Sequence, residues 1–168
     1  MKSDTKTNKI HLPLYGVGPF YGCSVILLTA VSIFLSVKRV FYIGVYELLK
    51  LPFIVLGILL IVLGIFIWIQ AVIISKLDKN ILDNVLITTG IYSWVRNPVY
   101  SGISIVCFGI LLIARDMWLL ALPFIFWIEL TILMKYSEEK WLSELYGTEY
   151  LNYCKRVNRC IPWFPKKK

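Results

Sequence analysis

Residues 51–74 run for twenty-four positions without a charged side chain. As a helix that stretch is ~36 Å long, more than the ~30 Å of bilayer hydrocarbon it would have to cross. A helix apolar on every face needs burial all round or lipid, and a chain of 168 residues has too little mass around it for the first. Three more apolar runs occur at about 16–37, 99–114 and 117–136. With 58 % hydrophobic residues and a mean hydropathy of +0.73, the expected fold is an all-α polytopic membrane protein. About four transmembrane helices and a helical C-terminal segment form one membrane domain over 1–168.

The net charge of +8 fits positive-inside topology and attraction to anionic headgroups. Nucleic-acid binding would need a basic face on a soluble module, and no such module is present. With the N-terminus inside, the leader, the 75–98 loop and the tail carry fourteen Lys/Arg against four in the two outer turns. Both termini are therefore expected in the cytoplasm, with the 88–98 stretch and the residues after the fourth span on that same face. The membrane is the plasma membrane in a prokaryote and the endoplasmic reticulum in a eukaryote. The first span reads as a retained anchor rather than a cleaved signal. His11 is the lone histidine, and Cys23, Cys107, Cys154 and Cys160 show neither redox nor zinc spacing. Histidine triads and metal centres are excluded, and all four thiols are expected reduced.

Local signals refine the spans. Gly18 and Gly22 form a small-xxx-small pair, and Gly57 and Gly64 share a face; either pair suits close helix packing, within the chain or between copies. Pro52 suits a first helical turn, Gln70 a hydrogen bond to a neighbouring helix, Asp116 an N-cap and Pro123 a bend. Residues 137–146 continue as a helix that stops at Gly147, and Thr148 caps a second helix reaching Val157.

Residues 88–102 are too varied for a plain span: Arg96, Asn97 and Pro98 stand among Tyr92, Trp94 and Tyr100. A helix start accounts for Arg-Asn-Pro, with Asn97 as cap and Arg96 reaching headgroups. A cofactor floor accounts for the aromatics as well. Glu138 and Glu139 point about 100° apart on a helix, so they are expected to part company. They read as a solvated helix start paired with Lys135 or Lys140, or as one carboxylate turned toward the 84–100 segment. Glu129 lies inside a span and reads as a polar contact to Gln70 or a tyrosine, or as part of a substrate route. Tyr146, Tyr150, Tyr153 and Trp163 read as an interfacial belt. Arg156 and Arg159 read as headgroup contacts, or as holders of an acidic substrate.

The run Gly90-Ile-Tyr-Ser-Trp-Val-Arg-Asn-Pro-Val-Tyr-Ser-Gly102 resembles the GxYxxxRHPxYxG motif of the isoprenylcysteine carboxyl methyltransferases and related phospholipid methyltransferases. Glu138-Glu139, then Tyr146-Gly-Thr-Glu-Tyr150-Leu-Asn-Tyr153-Cys-Lys-Arg-Val157 and Pro162, is similar to that family's EE and FGxEYxxYxxxVPxxxP ending. The resemblance covers about residues 75–165. It implies a membrane enzyme that uses S-adenosylmethionine at the cytoplasmic face, no metal, and a lipid-like or prenylated acceptor entering from the bilayer. Carried over by position, Asn84, Val85, Leu86, Ile87, Tyr92, Arg96, Asn97, Pro98, Val99, Tyr100 and Glu138 would bind the cofactor. Lys135, Arg156 and Glu129 are the substrate candidates. Three positions depart from the pattern: Asn97 replaces the histidine before proline, Met134 the substrate-binding arginine, and Asn158 a proline.

The cofactor of such an enzyme already carries an activated methyl, so the protein supplies alignment and water exclusion. Carboxyl O-methylation of an isoprenylcysteine-type acceptor needs no general base, because a carboxylate is ionised at neutral pH. N-methylation of a phospholipid or small amine does need one, and Glu138 or Glu139 is then the candidate. A non-enzymatic scaffold would keep the two motif regions apart.

Overall fold

A computed structural model describes residues 16–41, 43–44 and 47–164. The expected contributions of the leader lysines, His11 and the final lysines fall outside the described residues. The described chain is all helical: α1 (Gly18–Val37), α2 (Glu47–Ile69), α3 (Leu77–Leu82), α4 (Pro98–Ile113), α5 (Leu122–Tyr136) and α6 (Glu138–Arg156). The stretches Gly18–Val37, Leu48–Ile74 and Met117–Tyr136 are long and apolar enough to cross a bilayer, and Pro98–Ile113 is a shorter apolar helix. The chain is thus a polytopic membrane protein. At sixteen residues, α4 is ~24 Å long, short of the hydrocarbon thickness, so its first turn meets the headgroup layer.

The centre of the bundle is the α2–α4 pair. The two helices meet through glycines on both sides: Gly57 faces Gly109, and Gly64 faces Gly102. A Cβ built on Gly109 would lie 2.5 Å from the Gly57 carbonyl oxygen, and one on Gly64 2.7 Å from that of Gly102. Backbones this close leave no room for a methyl group, which is the value of small residues where no hydrophobic effect drives helices together. The Gly57/Gly64 face is thereby used within the chain. α1 packs on α4 through Gly18 and Gly22, which abut Tyr100 and Ile103. Tyr21, Val25, Leu111, Phe126, Leu130 and Met134 fill the core among α1, α4 and α5. Tyr21 donates to the Phe126 carbonyl and shares a 2.6 Å hydrogen bond with Ser104.

Several local expectations change. α2 begins at Glu47, so Pro52 lies inside the helix and past its first turn. The apolar run ends in a π-helical turn, Gln70–Ile74, where the Gln70 carbonyl accepts from Ser75. Pro123 stands in the first turn of α5, after a 3-10 turn at Met117–Ala121, where its missing N–H is not needed. Asp116 caps nothing: its carboxylate accepts from the Ser36 hydroxyl at 2.6 Å and from the N–H groups of Ile43 and Gly44 at 3.0 and 3.2 Å. It latches the α1–α2 connection to the α4–α5 turn. Cys23 is exposed on α1, and all four cysteines are free thiols. Gly147 has φ 52° and kinks α6 into the two helical pieces expected.

Candidate functional site

The α4–α5 hairpin brings the 75–98 loop and the C-terminal segment to one end of the bundle, and there the two are stitched together. Val95 and Asn158 form an isolated parallel β-bridge. The Arg96 N–H donates to the Asn158 carbonyl at 2.8 Å, and the Asn97 N–H and side-chain amide donate to the Arg159 carbonyl at 3.2 and 3.0 Å. Asn97 therefore does not cap α4; its amide fixes the tail. Ser101 donates to the Cys160 carbonyl at 2.5 Å, and Trp163 N–H to the Trp94 carbonyl at 3.1 Å.

The two adjacent glutamates part as helical geometry requires. Glu139 turns to the tail: Arg159 grips it with two nitrogens at 2.5 and 2.9 Å, and Arg96 reaches it at 3.1 Å. Its partners are thus arginines, not Lys135 or Lys140. Arg96 also contacts the Cys154 thiol. Its Nε is buried with no hydrogen-bond partner among the described residues.

Glu138 turns the other way, into a cavity of about 410 Å³. Tyr100 donates to its Oε1 at 2.5 Å and the Val17 N–H donates at 3.2 Å. No cation pairs with it among the described residues. Burial pushes its carboxyl above the usual range, and the hydrogen bonds from Tyr100 and Val17 only partly offset this. The phenols of Tyr92, Tyr150 and Tyr153 are likewise pushed up by burial and stay neutral. Tyr153 donates to the Tyr92 carbonyl at 2.6 Å, tying α6 to the 3-10 turn Gly90–Ser93.

Of the residues expected at a cofactor site, Val85, Leu86, Ile87, Tyr92, Arg96, Asn97, Pro98, Val99, Tyr100 and Glu138 all line this one cavity. Asn84, in a left-handed turn at φ 52°, is not in the lining. Neither are Lys135, Arg156 or Glu129. Lys135 lies over the Tyr136 ring on the exposed side of α5, Arg156 is exposed, and Glu129 is half-buried near Tyr21. Met134, at the family's arginine position, is fully buried in the core.

The lining also includes residues that the sequence reading placed elsewhere. Tyr146, Tyr150 and Tyr153, read as an interfacial belt, form a wall with Trp141 and Leu142. Their spacing, 142–146–150–153, is one face of a helix, and that periodicity was the available signal. Trp68 and Val72 come from the end of the second span, and Leu77, Asp78 and Ile81 from α3. A second cavity of about 530 Å³ lies among α1, α2 and α4, lined by apolar side chains with Thr29 and Cys107. Trp68 and Ile103 line both cavities. No group of His, Cys, Asp or Glu able to hold a metal occurs among the described residues.

Comparison with known proteins agrees with the motifs. No curated protein and no solved structure matches the chain significantly. The sequence model of the phospholipid methyltransferases does match, over residues 52–149, which takes in α2 to α5, the loop and the first part of α6. The chain belongs to the phospholipid methyltransferase family, in the group of integral membrane methyltransferases that includes the isoprenylcysteine carboxyl methyltransferases.

Proposed function

We propose that this membrane methyltransferase moves a methyl group from S-adenosylmethionine to the amine head of a lipid-like acceptor, at the cytoplasmic face. Glu138 carries the reading. It is a half-buried carboxylate that faces the cavity without a cationic partner among the described residues. Such a group is costly unless a ligand supplies the positive charge.

The cavity suits the cofactor. Its size is within the range of small-molecule sites, and its aromatic walls favour a sulfonium cation. Val85, Leu86, Ile87, Tyr92, Pro98 and Tyr100 would hold it, with Arg96 and Asn97 at its polar end. Bound there, S-adenosylmethionine supplies a methyl already activated for displacement. The protein's part is to align the acceptor, keep water out and take a proton. An ammonium head must lose a proton before it can attack, and Glu138, raised by burial, is matched to accept it on Oε2 while Tyr100 holds Oε1.

The acceptor class rests on charge and shape. Arg96, the one cation of the cavity lining among the described residues, is engaged by Glu139, whereas Glu138 and Asp78 offer carboxylates. An amine is therefore served better than the carboxylate of an isoprenylcysteine. The apolar cavity that shares Trp68 and Ile103 supports a lipid-like tail. The cytoplasmic orientation rests on the Lys/Arg bias.

The test is transfer of labelled methyl from S-adenosylmethionine in membranes containing the protein, followed by lipid extraction. Base-stable label in an amine lipid, lost in Glu138→Ala, supports the reading. Label released by mild base points instead to a carboxyl ester. No label in any lipid overturns lipid methylation altogether.

A further inference from the structure

The C-terminal strap, residues 157–164, has an outer face that neither the fold nor the chemistry above uses. Ile161, Trp163 and Phe164 are 58 %, 64 % and 67 % exposed, and Trp94 is 42 % exposed. The rings form one patch: Trp94 and Phe164 lie 4.8 Å apart between centroids, and Trp163 and Phe164 6.4 Å. On a surface facing water, four adjoining large apolar side chains would need a partner.

The position of the strap identifies that partner. Cys160 is buried between two spans, where its carbonyl accepts from Ser101 and its thiol lies 4.0 Å from the Thr131 hydroxyl. Ser101 is in the first turn of α4, and Thr131 is more than one turn before the end of α5. The strap therefore descends ~5–7 Å below the helix ends, at the 1.5 Å rise of a helix. Irregular backbone at that depth is tolerated only when its polar groups are satisfied by protein. Along the inner side of the strap the carbonyls of Asn158, Arg159 and Cys160 and the N–H of Trp163 all bond to α4 or the loop before it. Exposed Lys155 and Arg156 precede the patch. The sequence beyond it continues with Lys166, Lys167 and Lys168.

We infer that the strap is seated in the interfacial layer of the bilayer, with Trp94, Ile161, Trp163 and Phe164 at the boundary of acyl chains and headgroups and the flanking cations on anionic lipid. Trp favours that layer, and basic residues are attracted to an anionic surface. The lipid then supports the strap on its outer side, while Arg96 and Asn97 hold its inner side through the Asn158 and Arg159 carbonyls. This seating does not depend on the identity of the cofactor or acceptor.

The test uses full-length protein with fluorinated tryptophan in phosphatidylcholine–phosphatidylglycerol nanodiscs. The Trp163 and Trp94 fluorine resonances are assigned by their loss in Trp163→Phe and Trp94→Phe. Both resonances should broaden strongly with a lipid carrying a nitroxide near the top of its acyl chain, and little with a water-soluble gadolinium chelate. The reverse pattern at Trp163 would place the strap in water and overturn the inference. The two exposed positions tolerate the conservative change, and either resonance alone gives the answer.

Discussion

Glu139→Gln and Glu138→Gln should have opposite consequences although the residues are neighbours. Glu139 closes the Arg96–Glu139–Arg159 cluster, in which the side chains of Arg96 and Glu139 are 8 % and 15 % exposed. Neutralising it leaves the Arg96 guanidinium buried without its carboxylate, a loss of ~3–5 kcal/mol for such pairs. The Arg159 arm, at 28 % exposed, is more screened and adds ~1 kcal/mol or less. Taking ~3 kcal/mol as the net effect, the melting temperature should fall by ~6–12 °C for a chain of this length. Glu138→Gln removes a charge that burial disfavours and keeps an oxygen for the Tyr100 hydroxyl and the Val17 N–H. Its stability at neutral pH should equal or exceed that of the wild type, while methyl transfer falls at least a hundredfold. Thermal unfolding in one detergent, with activity measured on the same samples, separates the two. A Glu139→Gln protein melting within ~1 °C of wild type, or a Glu138→Gln protein with full activity, would refute the division of roles.

Gly64→Ala and Gly109→Ala should each destabilise by ~1–3 kcal/mol, because the added Cβ would stand 2.7 and 2.5 Å from a facing carbonyl oxygen and the α2–α4 pair would have to part by roughly 1 Å; denaturation in detergent micelles measures this, and neutral substitutions would show that the pair is looser. Tyr100→Phe removes a hydrogen bond that lowers the Glu138 pKa, so the acid limb of the pH–rate profile should move to higher pH, whereas an unmoved limb would take Glu138 out of proton transfer. Asp116 is pulled two ways: burial raises its pKa, but hydrogen bonds from Ser36, Ile43 and Gly44 hold it below the ordinary range. A lowered folded-state pKa stabilises above the unfolded value and is lost as pH falls through the folded value. Wild type should therefore lose ~1–3 kcal/mol on acidification, and Asp116→Asn should lack that part of the acid dependence; equal acid sensitivity in both would remove Asp116 as its source.

The spans were legible in the sequence because lipid enforces long apolar runs. Their partners were not, since a lipid-facing leucine and a bundle-facing one look alike in a row; the glycine pairs 18/22 and 57/64 marked the packed faces. The convergence of residues 84–100 with Glu138 followed from the tight hairpin between α4 and α5. The divergence of Glu138 from Glu139 followed from helical rotation, but which one faced the cavity did not. That choice depends on Arg159, which is twenty positions away and arrives through a β-bridge that no local pattern announces. Asn97 and Asp116 were misread as caps for the same reason. Their side chains serve distant backbone, Arg159 in one case and Ile43 and Gly44 in the other, while local propensity sees only the helix that follows. The tyrosines of α6 were read as a belt because amphipathic aromatics suit both an interface and a cavity wall.

Binding of S-adenosylhomocysteine to the purified protein, measured by isothermal titration for wild type and for Tyr92→Ala, Glu138→Ala and Lys135→Ala, tests the central claim most directly. One site per chain is expected in the wild type, with at least tenfold weaker binding in Tyr92→Ala, near wild-type binding in Glu138→Ala, whose carboxylate serves the acceptor, and unchanged binding in Lys135→Ala, whose side chain lies outside the cavity. No binding by the wild type, or equal binding by all four proteins, would contradict that claim.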